Sequence, residues 1–365
     1  VMESKQKRLP NILMASYAFS TGGGEIFPIR LANKLKLIGY GVTFFNFNQE
    51  PLNSNVRKML SNDIPVYEYT GWIGNLDKLL INFGIEIVHT HHASTEHFFA
   101  TYMKERKIIK HIATMHGMYE MLEKIHIDNN LPVIIKSVDT WVYIAEKNLE
   151  LFKIYNCYNE KKFIKIANGM EPPVIQPVER RCLGIPDNAF VLCLASRAMP
   201  EKGWREAIKI ISEARALCRK DIHLLLLGDG LEYESLLLQE IPEYIHVLGF
   251  KNNPVDYYAM SDMGFLPSRF SGESFPLSII ECLFSKRPVI ASDIVEIHNI
   301  LTLKEGMAGA TFSLHDWEIP VTEAAALVAE FVINPETYEK SRSLSFKAAS
   351  RFHIDNVVKE YEKIY

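Results

Sequence analysis

The chain reads as an α/β protein of two doubly wound domains that face each other across a cleft. Three observations predict this. Its 365 residues suit two domains at about 150 residues each. Short apolar runs alternate with helix-like segments in both halves, the pattern of a parallel sheet covered by helices on its two faces. Between the halves, "ANGMEPPVIQPVERRCLGIPD" (167–187) places four prolines and two glycines in a short stretch, a linker composition.

Each element follows from local pattern. In the first half, "NILMASYAF" (11–19), "GVTFFNF" (41–47), "EIVHTHH" (86–92), "KHIATMHG" (110–117) and "TWVYIAE" (140–146) predict buried strands. "EIFPIRLANKLKLIG" (25–39) has apolar residues at helical spacing and ends at Gly39. In the second half the predicted strands are "FVLCLAS" (190–196), "IHLLLLG" (222–228), "IHVLG" (245–249), "MGFLPS" (263–268), "PVIASD" (288–293) and "GATFS" (309–313). "VTEAAALVAEFV" (321–332) is the clearest helix between them. The expected domains are 1–175, 176–345, and a terminal segment 346–365 returning to the first.

Composition narrows the classes. Hydrophobic residues at 48% with 23% charged mark an ordinary globular chain. Five cysteines, an odd number with no CxxC spacing, fit structural thiols in a reducing compartment. No apolar run approaches the ~18 residues of a membrane span. The leading Val points to an excised segment or cloning remnant, and the polar start is not a signal peptide. The expected location is cytoplasmic. Residues 1–175 hold 20 Lys+Arg against 17 Asp+Glu, leaving 20 against 27 in the remainder. One basic cluster, "KERKIIKH" (104–111), could touch an anionic membrane or simply form a solvated helix end. Nothing further suggests nucleic acid.

In doubly wound sheets, ligands sit at the carboxyl ends of the strands, so strand-to-helix loops carry the candidates. "STGGGEIF" (20–27) opens a helix with three glycines, which allow close backbone approach and favour an anion, though many tight turns look alike. "ASRAMPEKGWREA" (195–207) brings Arg197 and Lys202 to one strand end, suited to a diphosphate or to mere surface exposure. "LGDGLEYE" (227–234) is a glycine turn. In "SGESFPLSIIECL" (271–283), two glutamates bracket an apolar helix, with Pro276 expected in its first turn and Ser274 or Phe275 as its cap. A carboxylate among buried residues is costly without partners, which asks for a partner to Glu281 unless it is a rim residue. Glu273, on the loop before the helix, either complements the helix dipole or joins Glu281 at a ligand. His91 and His92 are adjacent, point to opposite faces of a strand, and make a poor chelate.

The set "SRAMPEKG", "LGDG", "VLGF", "SDMGFLPS" and "GESFPLSIIECL…KRPVIASD" resembles the retaining family 4 glycosyltransferases of GT-B fold. The closing "ASRFHIDNVVKEYEKIY" resembles the family's last helix, which crosses back to the first domain; "GGGE", "HGM" and "NGM" resemble its first domain more loosely. The resemblance implies two Rossmann-like domains, acceptor side first and donor side second. It implies retaining, metal-independent transfer of a hexose-type sugar from a UDP- or GDP-linked donor to a glycan or lipid-linked hydroxyl, as in polysaccharide biosynthesis, at or near the inner membrane face. No cofactor follows from it, the nucleotide sugar being a substrate.

It also implies residue roles. Arg197 and Lys202 hold the diphosphate, Glu273 the donor sugar, and Glu281 the ribose. Gly228, Ser274 and the backbone of Phe275 and Leu277 complete the donor site, and Gly23 and Gly24 approach the diphosphate. His116 lies near the reacting carbon, with His91, His92 and Asn168 on the acceptor side. Pro276 replaces a common Gly and removes one N–H donor. A nucleotide-sugar epimerase of the same plan, or a non-catalytic sugar-nucleotide-binding homologue, remains the alternative; a solute-binding protein would carry an export signal.

Overall fold

The computed structural model describes residues 8–103, 109–117 and 119–365. They form two compact units, one of residues up to Met170 together with Ile354–Tyr365, the other Glu171–His353. The expected crossing at 346 falls inside a helix, Pro335–Ser350, and the chain returns only at Ile354.

The first unit is a seven-stranded parallel sheet. Its strands are β1 (Asn11–Ser16), β2 (Gly41–Asn46), β3 (Val66–Glu68), β4 (Ile87–Thr90), β5 (Lys110–Met115), β6 (Thr140–Tyr143) and β7 (Phe163–Lys165). They lie in the order β3-β2-β1-β4-β5-β6-β7. Alternate residues of β1 serve opposite faces, as the two-residue strand period requires. Ile12 and Met14 join a core with Phe27, Leu31 and Tyr361, while Leu13 and Ala15 join one with Leu76 and Phe99.

The second unit has a six-stranded sheet of β8 (Phe190–Ala195), β9 (Ile222–Leu227), β10 (Ile245–Gly249), β11 (Met263–Leu266) and β12 (Val289–Ser292). After a short antiparallel hairpin, β13 (Thr302–Leu303) and β14 (Gly306–Met307), β15 (Gly309–Phe312) completes it. The order is β10-β9-β8-β11-β12-β15, parallel throughout. All six residues of β9 are buried, because helices cover both faces. Trp204 and Ile211 of the helix Trp204–Cys218 and Val328 of the helix Val321–Ile333 pack with Leu192, Leu224 and Ile290.

The last helix, Ile354–Glu362, docks on the first unit through Ile354, Val357, Val358 and Tyr361. That i, i+3, i+4, i+7 spacing makes one helix face, and each aliphatic side chain buried there contributes roughly 1.5–3 kcal/mol. Lys34 pairs with Asp355, and the Tyr361 hydroxyl meets Thr114 Oγ1 at 3.1 Å.

The membrane expectation for 104–111 divides. Residues 104–108 lie outside the described residues. Lys110 Nζ donates to the carbonyl of Ile364 at 2.5 Å, and His111 is fully buried with Nδ1 2.9 Å from Ser137 Oγ. Those two groups bond within the unit, because β5 is a central strand. No helix among the described residues is long and apolar enough to cross a membrane. All five cysteines are free thiols.

Candidate active site

In each sheet the strand order reverses next to the first strand, between β1 and β4 and between β8 and β11. Loops leaving adjacent strands diverge there, and that opening is where doubly wound sheets bind ligands. In the second unit, the loop after β8 carries Arg197 and Lys202, and the loop after β11 carries Ser268 to Pro276.

Close backbone contact holds these loops in place. Gly228 has φ +145°, and a Cβ there would sit 1.9 Å from the Ser196 carbonyl oxygen. Gly203 has φ +72°, and its Cβ would sit 2.0 Å from the Pro267 oxygen. Only glycine fits either position. The amide of Arg269 donates to the Glu201 carbonyl at 2.8 Å, tying one loop to the other. Trp204 Nε1 donates to Ser196 Oγ at 3.0 Å.

Lys202, in the tight turn Pro200–Lys202, forms a buried ion pair with Glu273; each residue is 8% exposed. Lys202 thus pairs across the two loops with Glu273 and not with its chain neighbour Glu201. Phe270 stacks beneath both cations, its ring centroid 4.8 Å from Lys202 Nζ and 5.5 Å from the exposed Arg197 guanidinium carbon. Sequence reasoning missed Phe270. The signal was an aromatic two residues after Ser268, whose Oγ accepts from the Phe270 amide at 3.2 Å.

The helix expected from Pro276 onward is Leu277–Phe284. Pro276 is its N-cap, with ψ 105°, so neither Ser274 nor Phe275 caps it. The ring fixes φ without forcing helical ψ, and the Pro276 carbonyl accepts from Ile279 at 3.2 Å. Ser274 Oγ is buried with no hydrogen-bond partner among the described residues. Phe275 is buried edge-on against Phe352, ring centroids 5.2 Å apart. Leu277 and Glu281 are half-buried.

In the first unit, the helix Gly23–Leu37 begins at the glycines themselves, two residues before its apolar pattern. A Cβ on Gly24 would lie 3.2 Å from His116 Cβ, so this helix start passes close over the loop after β5. His91 and His92 lie just beyond β4, not on it. His91 Nδ1 is 3.0 Å from His116 Nε2 and its Nε2 is 3.0 Å from Met14 Sδ. His92 caps the next helix, Ala93–Tyr102, accepting from the Ser94 amide at 3.1 Å, and stacks on Tyr17. The two rings therefore serve separate partners.

His116 Nδ1 lies 3.5 Å from Asn168 Nδ2, and Asn168 Oδ1 is buried with no partner among the described residues. Burial lowers His116 to about 3, aided by His92, and lowers His92 to about 4. His91 is held well below the usual range by burial and by His89 and His116. These imidazoles are neutral at pH 7 and can donate or accept hydrogen bonds. His89, unremarked in the sequence, joins them: its Nε2 is 2.8 Å from Thr114 Oγ1 and its Nδ1 2.7 Å from the Tyr365 hydroxyl. No group of three or more His, Cys, Asp or Glu among the described residues is arranged to hold a metal ion.

Two family models match the chain. "Glycosyltransferase Family 4" covers residues 21–169, and "Glycosyl transferases group 1" covers 189–330. The capsular polysaccharide biosynthesis glycosyltransferase CapH of Staphylococcus aureus is 24% identical over 303 residues, 79% of each chain. Among solved structures, Anabaena HepE in complex with UDP superposes with a TM-score of 0.79 at 17% identity, covering 97% of this chain and 99% of that one. A Rickettsia africae glycosyltransferase gives 0.76 at 18%, covering 98% of both. The two parallel sheets thus have the fold of GT-B glycosyltransferases, and with both models matched in sequence order the chain belongs to the group 1, family 4 glycosyltransferases.

Proposed function

We propose that this enzyme transfers a hexose-type sugar from a nucleotide-diphosphate sugar to a glycan or lipid-linked hydroxyl, with retention of anomeric configuration and without a metal. The observation that carries the reading is the Arg197–Lys202–Glu273 group gathered on Phe270 at the β8/β11 reversal. A lysine ammonium has three donors. One is taken by Glu273, leaving two for a diphosphate. Arg197 adds a planar fork that suits two phosphate oxygens.

Breaking the sugar–phosphate bond develops negative charge on the departing diphosphate. Preorganised cations and amides, here Arg197, Lys202 and the start of the helix Leu277–Phe284, stabilise that charge in the transition state. An ionised carboxylate has about four lone-pair sites, so Glu273 can hold Lys202 and still accept from donor-sugar hydroxyls. Glu281 accepts from the ribose, the backbone at Phe275 and Leu277 meets sugar and phosphate, and Gly228 lets the loop after β9 close on Ser196 beside the nucleotide. Ser274 Oγ, buried without a partner among the described residues, is a polar group a bound donor would satisfy.

On the first unit, taken as the acceptor side, Gly23 and Gly24 approach the diphosphate. Neutral His116 has its Nε2 taken by His91, so Nδ1, at a long 3.5 Å from Asn168 Nδ2, is the nitrogen that would turn to the sugar near the reacting carbon, with His91, His92 and Asn168 around it. A retaining outcome with no assigned carboxylate nucleophile fits attack by the acceptor on the face the diphosphate leaves. HepE has been solved with UDP and with UDP-glucose, which favours a uridine donor. We assign residues 176–345 to the donor.

The test is a thermal-shift comparison of UDP, GDP and ADP, followed by NMR of the product formed from the matching sugar in excess chelator. Product of unchanged anomeric configuration agrees with the proposal. Inverted product, or activity abolished by chelator and restored by metal, overturns it.

A further inference from the structure

The first unit holds a cavity of about 770 Å³ that none of the assigned residues lines. It lies between the helices Ala93–Tyr102 and Lys124–Ser137, under Phe47 just beyond β2. Phe98, Leu122, Leu131 and Ile134 are among the residues that line it. The volume falls in the range of small-molecule sites, which are mostly apolar with a few polar groups. Ala93 and Ser94, at one side, directly follow His92. The cavity therefore opens at the same end of the sheet as the loops after β4 and β5.

Its chemistry is that of an oily slot. Glu96, just outside the lining, is fully buried and accepts from the Tyr119 hydroxyl in the wall. Burial pushes Glu96 up to about 8, so at pH 7 this carboxyl is protonated and presents no charge. Tyr102, also in the wall, donates its hydroxyl to Asp77. These polar groups are satisfied by the protein itself and ask nothing of a ligand. Ser94, His97, Thr101, His126 and Asn130 also line the cavity, all at half-buried or exposed positions, whereas Ala93, Ile127, Leu131 and Ile134 make its buried part apolar.

The geometry points to this cavity as the site that receives the aliphatic chain of a lipid-linked acceptor, with the acceptor's sugar end toward His92 and His116. The inference rests on the glycosyltransferase reading above for the identity of the acceptor, and on the cavity alone for its chemistry.

The probe is a series of n-alkyl β-D-glucosides from hexyl to decyl, each titrated calorimetrically into the whole protein below its critical micelle concentration. Burying a methylene is worth about 0.8 kcal/mol, so affinity should rise about three- to fourfold per added methylene until the cavity is full. Asn130→Trp and Ser94→Phe place bulk into the slot from half-buried positions on different helices. Each should flatten the series while leaving UDP affinity as in the wild type. Affinity independent of chain length, or variants that bind the series like the wild type, would overturn the assignment. So would protein that binds phosphatidylglycerol vesicles but none of the monomeric glucosides, the behaviour of a membrane surface. If the series behaves as expected and UDP does not bind, the cavity stands and the donor assignment falls.

Discussion

Replacing Lys202 with methionine removes one half of a buried ion pair and leaves a carboxylate that is 8% exposed. Breaking such a pair from one side typically costs about 3–5 kcal/mol, because the remaining charge is buried alone. Coulomb's law gives the same scale, about 4 kcal/mol for unit charges 4 Å apart at an effective dielectric of 20. Lys202→Met also loses the cation over Phe270, worth roughly 0.5–2 kcal/mol. Glu273→Gln keeps an acceptor for Nζ and should lie at or below the lower end of the range. The double variant removes both charges and should cost much less than the two singles added. Hydrogen exchange at β8 and β11 reads the second unit directly, and about 1.4 kcal/mol is a tenfold change in protection. Lys202→Met should lower protection there by about two to four decades, with the double variant recovering at least one. Strictly additive losses, or a single variant within about 0.5 kcal/mol of wild type, would refute a coupled buried pair.

Three further outcomes follow from the coordinates. Glu96 is protonated more strongly in the fold, its pKa raised from 4.5 to about 8. Stability should therefore fall as pH rises between those values and level off above, by roughly 3–5 kcal/mol in all at about 1.4 kcal/mol per unit; Glu96→Gln should remove that slope in urea titrations from pH 5 to 9. Gly228→Ala meets both a strained φ and the Ser196 oxygen, so it should lose well over about 1–3 kcal/mol. Gly184→Ala, at φ +68° with nothing within 4 Å, should lose only about 1–2 kcal/mol on the same denaturation curve. Tyr361→Ala should destabilise the first unit by about 3–5 kcal/mol, read as lost exchange protection in β5; Tyr361→Phe, which forfeits only the Thr114 contact, should cost about 1 kcal/mol.

The long strands and a linker within 167–187 were legible because apolar runs and clustered prolines are local signals, although the units divide at Met170, five residues before the expected boundary. β3 and β7 were not, since Val66–Glu68 and Phe163–Lys165 are three residues each, too short to show a period. The strand expected over 11–19 stops at Ser16. Its later apolar residues, Ala18 and Phe19, are buried by the turn that follows. At the site, the residue types and loops were readable from sequence, and their partners were not. Lys202 and Glu273 stand 71 positions apart, and only the adjacency of β8 and β11 brings them together. Phe270 and His89 escaped for the same reason: each acts through neighbours contributed by other strands. The start of the helix at Leu277 depended on a ψ angle that proline leaves open.

The most direct measurement is calorimetric titration of UDP into the wild-type protein and into Arg197→Ala. Arg197 is exposed and its guanidinium lies over the half-buried Phe270 ring, so its removal should leave the fold intact. Losing charge-assisted bonds worth about 1.5–3 kcal/mol should weaken UDP roughly ten- to a hundredfold. Equal affinity in the two proteins would contradict the assignment of the β8 and β11 loops to the donor diphosphate.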